Sequence, residues 1–157
     1  MPNKFTPALV TSGQSSLTVS TSPAYSSGDC IGGLLTFQVP PGSFALQSVT
    51  VTDVDAQTPA LSVIFFESTP AGTTTDNVAL AISTDRLKIL GVVAVAATDY
   101  VTVGGVSIAT VKPGAFTLQP TSGNTTLYAA IGTTSTPTFT NTTTKFAVRV
   151  GLVENSR

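Results

Sequence analysis

The chain has no histidine, no tryptophan, one cysteine and one methionine among its 157 residues. Without histidine there is no Ser–His or Cys–His nucleophilic pair, and the commonest ligand of catalytic zinc is missing. A single cysteine, Cys30, excludes an internal disulfide, so the sequence predicts folding in a reducing compartment. Beside an apolar run and with no base near it in sequence, Cys30 reads as a small buried side chain. Charge is scarce as well. Asp, Glu, Lys and Arg make up 10% of the chain and the net charge is −1, where a typical soluble domain carries about 25% charged residues. The seven cations, Lys4, Arg86, Lys88, Lys112, Lys145, Arg149 and Arg157, are scattered. Nucleic-acid binding needs a basic stripe that neutralises phosphates, and none is present. The longest apolar stretch, from Ile89 to Ala97, falls well short of the ~20 residues of a membrane helix. Met1-Pro2-Asn3-Lys4 leads into no apolar signal segment. No glycine-rich loop precedes a helix, so phosphate cradling has no support and no cofactor is expected.

Threonine takes the place that charge leaves, in runs at 73–75, 133–134 and 142–144. It is β-branched, stiff at χ1 and suited to a half-solvated pleated surface. Thirteen glycines and ten prolines break the chain into short pieces. Residues 1–28 hold Pro2, Pro7 and Pro23 in a Ser/Thr/Gly background, which predicts an extended arm with no central place in a sheet. Residues 29–157 are expected to form one domain, long enough to bury roughly two-thirds of its unfolded surface.

Within that domain the predicted strands are 34–39, 45–52, 61–66, 89–96, 106–111, 116–118, 126–131 and 145–152. Leu61-Ser62-Val63-Ile64-Phe65-Phe66 is richer in apolar residues and reads as a buried strand. In the last strand Phe146, Val148, Val150 and Leu152 face one way and Lys145, Ala147, Arg149 and Gly151 the other. Ser83 to Lys88 starts with capping residues and predicts one helical turn. Close-spaced strands without a long amphipathic helix predict an all-β antiparallel sandwich of jelly-roll type with an extended N-terminal arm.

The acidic pair Asp53 and Asp55 is the main chemical candidate. As a calcium loop of EF-hand type the spacing fails, because Thr58 and Ile64 stand where glycine and glutamate are needed. The spacing favours a connection between strands, since an Asp carboxylate bonds its own backbone two residues on. A weak cation site at Asp53 and Asp55 is the alternative, and catalysis a more distant one. Asp76, Asn77 and Asp85 read as loop and cap residues.

Ser27-Gly28-Asp29-Cys30-Ile31-Gly32-Gly33-Leu34-Leu35-Thr36-Phe37 resembles the opening of a group of small virion structural proteins of tailed bacteriophages. The likeness continues through Leu46 to Val49, Asp53 to Gln57, Phe65-Phe66, Thr75-Asp76-Asn77, Ile89 to Val93, Leu127 to Ala130, Thr136 to Phe139 and Val148 to Leu152. It covers about residues 25–154 and leaves out the arm. The resemblance implies a capsid decoration (cement) protein on the phage head, made in the cytoplasm of a bacterial host, with the major capsid protein as partner. The scarcity of charge adds an expectation of self-association, as a dimer or trimer. No enzymatic role is expected. Other virion parts (tail, fibre-base or head-spike) are alternatives. So is a carbohydrate-binding module that would stack Tyr25, Tyr100, Tyr128 and Phe139 on a glycan.

Overall fold

The computed structural model describes residues 9–114, 117–143 and 145–154, with side chains from Leu17 onward. Residues 1–8 of the expected arm, Phe116, Thr144 and Arg157 lie outside the described residues. Among the described residues there are ten strands: β1 Leu9–Ser16, β2 Leu35–Gln38, β3 Phe44–Asp53, β4 Leu61–Phe66, β5 Ile89–Val95, β6 Tyr100–Val103, β7 Val106–Val111, β8 Thr117–Leu118, β9 Thr126–Thr133 and β10 Phe146–Glu154. They form two antiparallel sheets packed face to face. Sheet one runs β1-β10-β3-β7-β6, with β8 on the other half of β3, and sheet two runs β2-β9-β4-β5. The all-β sandwich expected from the sequence is the observed architecture.

Period-two alternation sets the inner faces. Phe146, Val148, Val150 and Leu152 of β10 are buried, as the sequence predicts, and so are Leu35 and Phe37 of β2. On β3 the alternation breaks. Phe44 and Leu46 are buried, and then Val49, Val51 and Asp53. Gly151 of β10 faces Ser48 while Leu152 faces Leu46, so Gln47 is an extra residue in the ladder. This bulge turns both apolar sets inward, whereas strict alternation would place Leu46 opposite to Val49. Glycine at 151 fits the crowding there, because a Cβ would lie 2.5 Å from Ser48 Oγ.

Two strands were not expected. The type I′-like turn Gly104–Gly105, with φ of 60° and 83°, folds β6 back on β7. The segment expected as a separate arm instead lies on the sandwich from Leu9 onward. β1 pairs along the edge of sheet one against β10, and Leu17, Val19 and Tyr25 are buried in the main core. These three apolar side chains tie the segment down. The helical turn is a short 3-10 segment, Ser83–Asp85, whose N-cap makes no side-chain bond.

A second, smaller core lies on the outer face of sheet two. Ile64, Phe66 and Ala130 are buried there under Leu80, Ile82, Ile89 and Tyr128. The long connection between β4 and β5 supplies Leu80 and Ile82 and so acts as a cover. β4, expected as a buried strand, is therefore buried on both faces.

Candidate functional site

The Asp53–Asp55 segment lies at the end of the sandwich where β3 stops. Asp53 occupies an inward position of β3, opposite Phe146 of β10 and Ser107 of β7, and is wholly buried. Its carboxylate accepts the backbone N–H of Asp55 at 3.0 Å and that of Thr58 at 2.8 Å. The chain turns immediately after Asp53, with Ala56 and Thr58 in the left-handed region at φ of 51° and 47°. Two such non-glycine residues are costly, and the Asp53 hydrogen bonds help hold that conformation.

Asp55 points elsewhere. It accepts Thr140 N–H at 2.6 Å and Thr140 Oγ1–H at 2.8 Å, and pairs with Lys145 Nζ at 3.2 Å. Gln57 Oε1 accepts Thr138 N–H at 3.4 Å, and Tyr100 O–H donates to the Pro59 carbonyl. The two carboxylates thus face different partners rather than one shared face: Asp53 organises its own loop, and Asp55 stitches that loop to residues 138–145. Their titrations diverge accordingly. Burial raises the Asp53 carboxyl above its ordinary range, against the opposing backbone N–H bonds, and the Asp55 charge adds to the rise. Burial also opposes ionisation of Asp55, but the Thr140 donors and the Lys145 ammonium together hold its carboxyl below the ordinary range.

A cation at this pair would have to displace those N–H and O–H donors. Among the described residues no three or more His, Cys, Asp or Glu side chains gather in a way that holds a metal ion.

A second knot joins the N-terminal segment to the cover. Asp76 accepts Ser20 Oγ–H at 2.7 Å, Tyr25 O–H at 2.6 Å and Gly32 N–H at 2.6 Å. Asn77, at φ 55°, donates from Nδ2 to the Pro23 carbonyl at 2.9 Å and from its backbone to the Cys30 carbonyl. Gly32 has φ +73°, and a Cβ there would lie 2.7 Å from Leu17 Cβ. The Ser27–Phe37 motif therefore has a structural role: it seats the segment from Leu17 to Gly28 beside the loop 73–80. Cys30 is fully buried, and burial pushes its thiol up to about 11. Burial and the neighbouring Asp76 likewise raise the Tyr25 hydroxyl far above its ordinary range.

A fourth carboxylate pins the base of the cover. Asp85 accepts the N–H groups of Ala71 and Gly72 at 2.8 Å each and pairs with Lys88 Nζ at 3.0 Å. Gly72 leaves no room for a Cβ, which would collide with the Ala81 carbonyl. No family model, curated protein or solved structure matches the chain.

The aromatic residues considered for glycan stacking are largely committed to the interior. Tyr25 and Phe139 are buried, in edge-to-face contact at 5.7 Å, and Phe139 meets Phe146 at 5.4 Å. Tyr100 and Tyr128 are half-buried against the two cores.

The outer face of sheet one is different. Thr50, Thr52, Ile108, Ala147 and Arg149 line a shallow groove of about 220 Å³. Beside it Val101, Val103 and Ile108 are 64%, 66% and 39% exposed. Sequence reasoning passed over this region because Tyr100–Val103 was not recognised as a strand; the Gly104–Gly105 pair between two β-branched runs was the available signal.

Proposed function

We propose that the chain is a virion structural protein, a capsid decoration (cement) subunit that docks on the major capsid protein at the head surface, after synthesis in the cytoplasm of a bacterial host. A jelly-roll winding is the finer description of its fold under this reading, and self-association as a dimer or trimer is part of it. The observation that carries its place in an assembly is the unguarded apolar edge of sheet one, which is open to a neighbouring subunit. Free edges of soluble sheets are commonly blunted by lysine, proline or bulges, and an edge that exposes valines instead favours coverage by a neighbour.

Scarce charge and the resemblance over residues 25–154 support the same reading. A subunit that binds only the mature shell stabilises that state by RT ln(1 + [L]/Kd) per site, about 2.7 kcal/mol at a concentration one hundred times Kd. The test is to add the purified protein to heads that lack it and to measure binding by co-sedimentation and head rupture by heating. Binding with a raised rupture temperature is the expected result. No binding, or an unchanged rupture temperature at saturation, overturns the cement role.

A further inference from the structure

We infer that β6 is a self-complementary seam through which two copies of this chain join their first sheets across a two-fold axis. The inference deepens the self-association in the reading above and rests on it, but not on the shell.

β6 ends sheet one, and among the described residues no strand pairs with its outer side. Its register against β7 sets Tyr100 opposite Ala109, Val101 opposite Ile108, Thr102 opposite Ser107 and Val103 opposite Val106. A two-residue turn of type I′ closes on a hydrogen-bonded pair, here Val103 and Val106. Antiparallel alternation then turns the backbone groups of Val101 and Val103 toward β7. It leaves those of Tyr100 and Thr102 directed at the open edge.

An antiparallel copy of the same strand satisfies them. With Thr102 opposite Thr102 of the second copy, Tyr100 opposes Gly104 in hydrogen-bonded pairs. Val101 then opposes Val103 in the closer, non-hydrogen-bonded pairs, where side chains meet best. Because Val101, Val103 and Ile108 share the outer face, the join makes one apolar strip across both molecules.

Charge selects this occupant. Residues 100–111 contain no charged side chain. The nearest charges along the chain, Asp99 and Lys112, lie together at one end of the β6–β7 hairpin, since its register brings Thr110 and Lys112 beside the residues that precede β6. The two-fold axis sets that end against the neutral Gly104–Gly105 turn of the second copy, so no like charges meet. Within the seam itself, residues 100–105, an acidic or basic partner has no charge to pair with. An identical uncharged edge matches at every position, as an isologous interface requires.

Thr102→Cys tests the register directly. Opposed residues of a hydrogen-bonded pair have Cα atoms about 5.5 Å apart, inside the roughly 4.4–6.8 Å span of disulfides. The native Cys30 is buried and does not compete. Under mild oxidation we expect T102C to form covalent dimers at least tenfold faster than Leu87→Cys, whose parent residue is 86% exposed and remote from the seam. Val103→Lys, which sets a charge inside the seam of each copy, should abolish association in light scattering without lowering the unfolding temperature measured in dilute solution, where the native chain is monomeric. If V103K still associates and T102C links no faster than L87C, the seam is wrong while self-association stands. If the native chain stays monomeric up to the highest soluble concentration and T102C shows no advantage, both fall.

Discussion

The outer faces of the two sheets have the same pleated geometry and opposite fates. On sheet two, Ile64, Phe66 and Ala130 are sealed under Leu80, Ile82, Ile89 and Tyr128. On sheet one, Thr50, Thr52, Ile108, Ala147 and Arg149 line a shallow groove, and the valines of β6 stand in water. The difference lies in the connections. The β4–β5 connection is long enough to fold over its sheet, and Asp76 and Asp85 fasten it at two points. The β6–β7 connection is only the Gly104–Gly105 turn, which covers nothing. Burial on a sheet face therefore depends on what the chain spends on loops as much as on the strand sequence.

The largest expected effect comes from emptying the covered face. Phe66 is fully buried in the second core, so Phe66→Ala removes a large apolar side chain and leaves a cavity. We expect a loss of about 3–5 kcal/mol, measured by urea unfolding. A loss below 1 kcal/mol would mean that the cover collapses freely onto the gap and is no true second core.

Much of this contrast was legible in the residues. The apolar run Leu61 to Phe66 announced a buried strand, and Phe146 to Leu152 announced an inner face; that the second face of β4 is also covered was not announced, because the cover comes from the β4–β5 connection. The bulge at Gln47 was not legible, because one inserted residue reverses the facing of half a strand without altering composition. The edge role of Leu9–Ser16 was hidden for a related reason. Serine and threonine suit loops and half-solvated strands alike, and only the pairing with β10 decides between them. Of the acidic pair, the turn-forming bond from Asp53 to the Asp55 N–H followed from spacing, whereas the Asp55 contacts with Thr140 and Lys145 join residues distant in sequence.

An intermediate effect is expected at the fastening of the cover. The hydrogen bond from Ala71 N–H, with Lys88 and Gly72 beside it, lowers the Asp85 carboxyl from its ordinary 3.8 to about 2. A group whose folded value is depressed stabilises the fold fully above its unfolded value, and that contribution is lost as pH falls through the folded one. The cover should therefore loosen between about pH 4 and pH 2 while the β3–β10 ladder holds. Hydrogen exchange at the Ala71 and Gly72 amides is the readout, and it should accelerate over that window relative to Val49 and Val150. In Asp85→Asn the same amides should exchange fast at neutral pH and lose the acid step. An acid step unchanged in D85N would assign it to another carboxyl.

The smallest expected effect is on the open face, and it separates a surface made for stability from one made for contact. Val101 makes its pair with Ile108 in the presence of water, with two-thirds of its surface still accessible. Val101→Thr keeps the β-branch and the strand preference while adding one hydroxyl that water can satisfy. Monomer stability should change by less than about 0.5 kcal/mol, as for surface positions in general. If V101T instead costs more than 1 kcal/mol in dilute solution, Val101 is already buried by something within the single chain, and β6 is not an open edge. If it is neutral in dilute solution but lowers the unfolding temperature only at high protein concentration, its apolar surface contributes to an intermolecular contact, because only an associating species gives stability that scales with concentration.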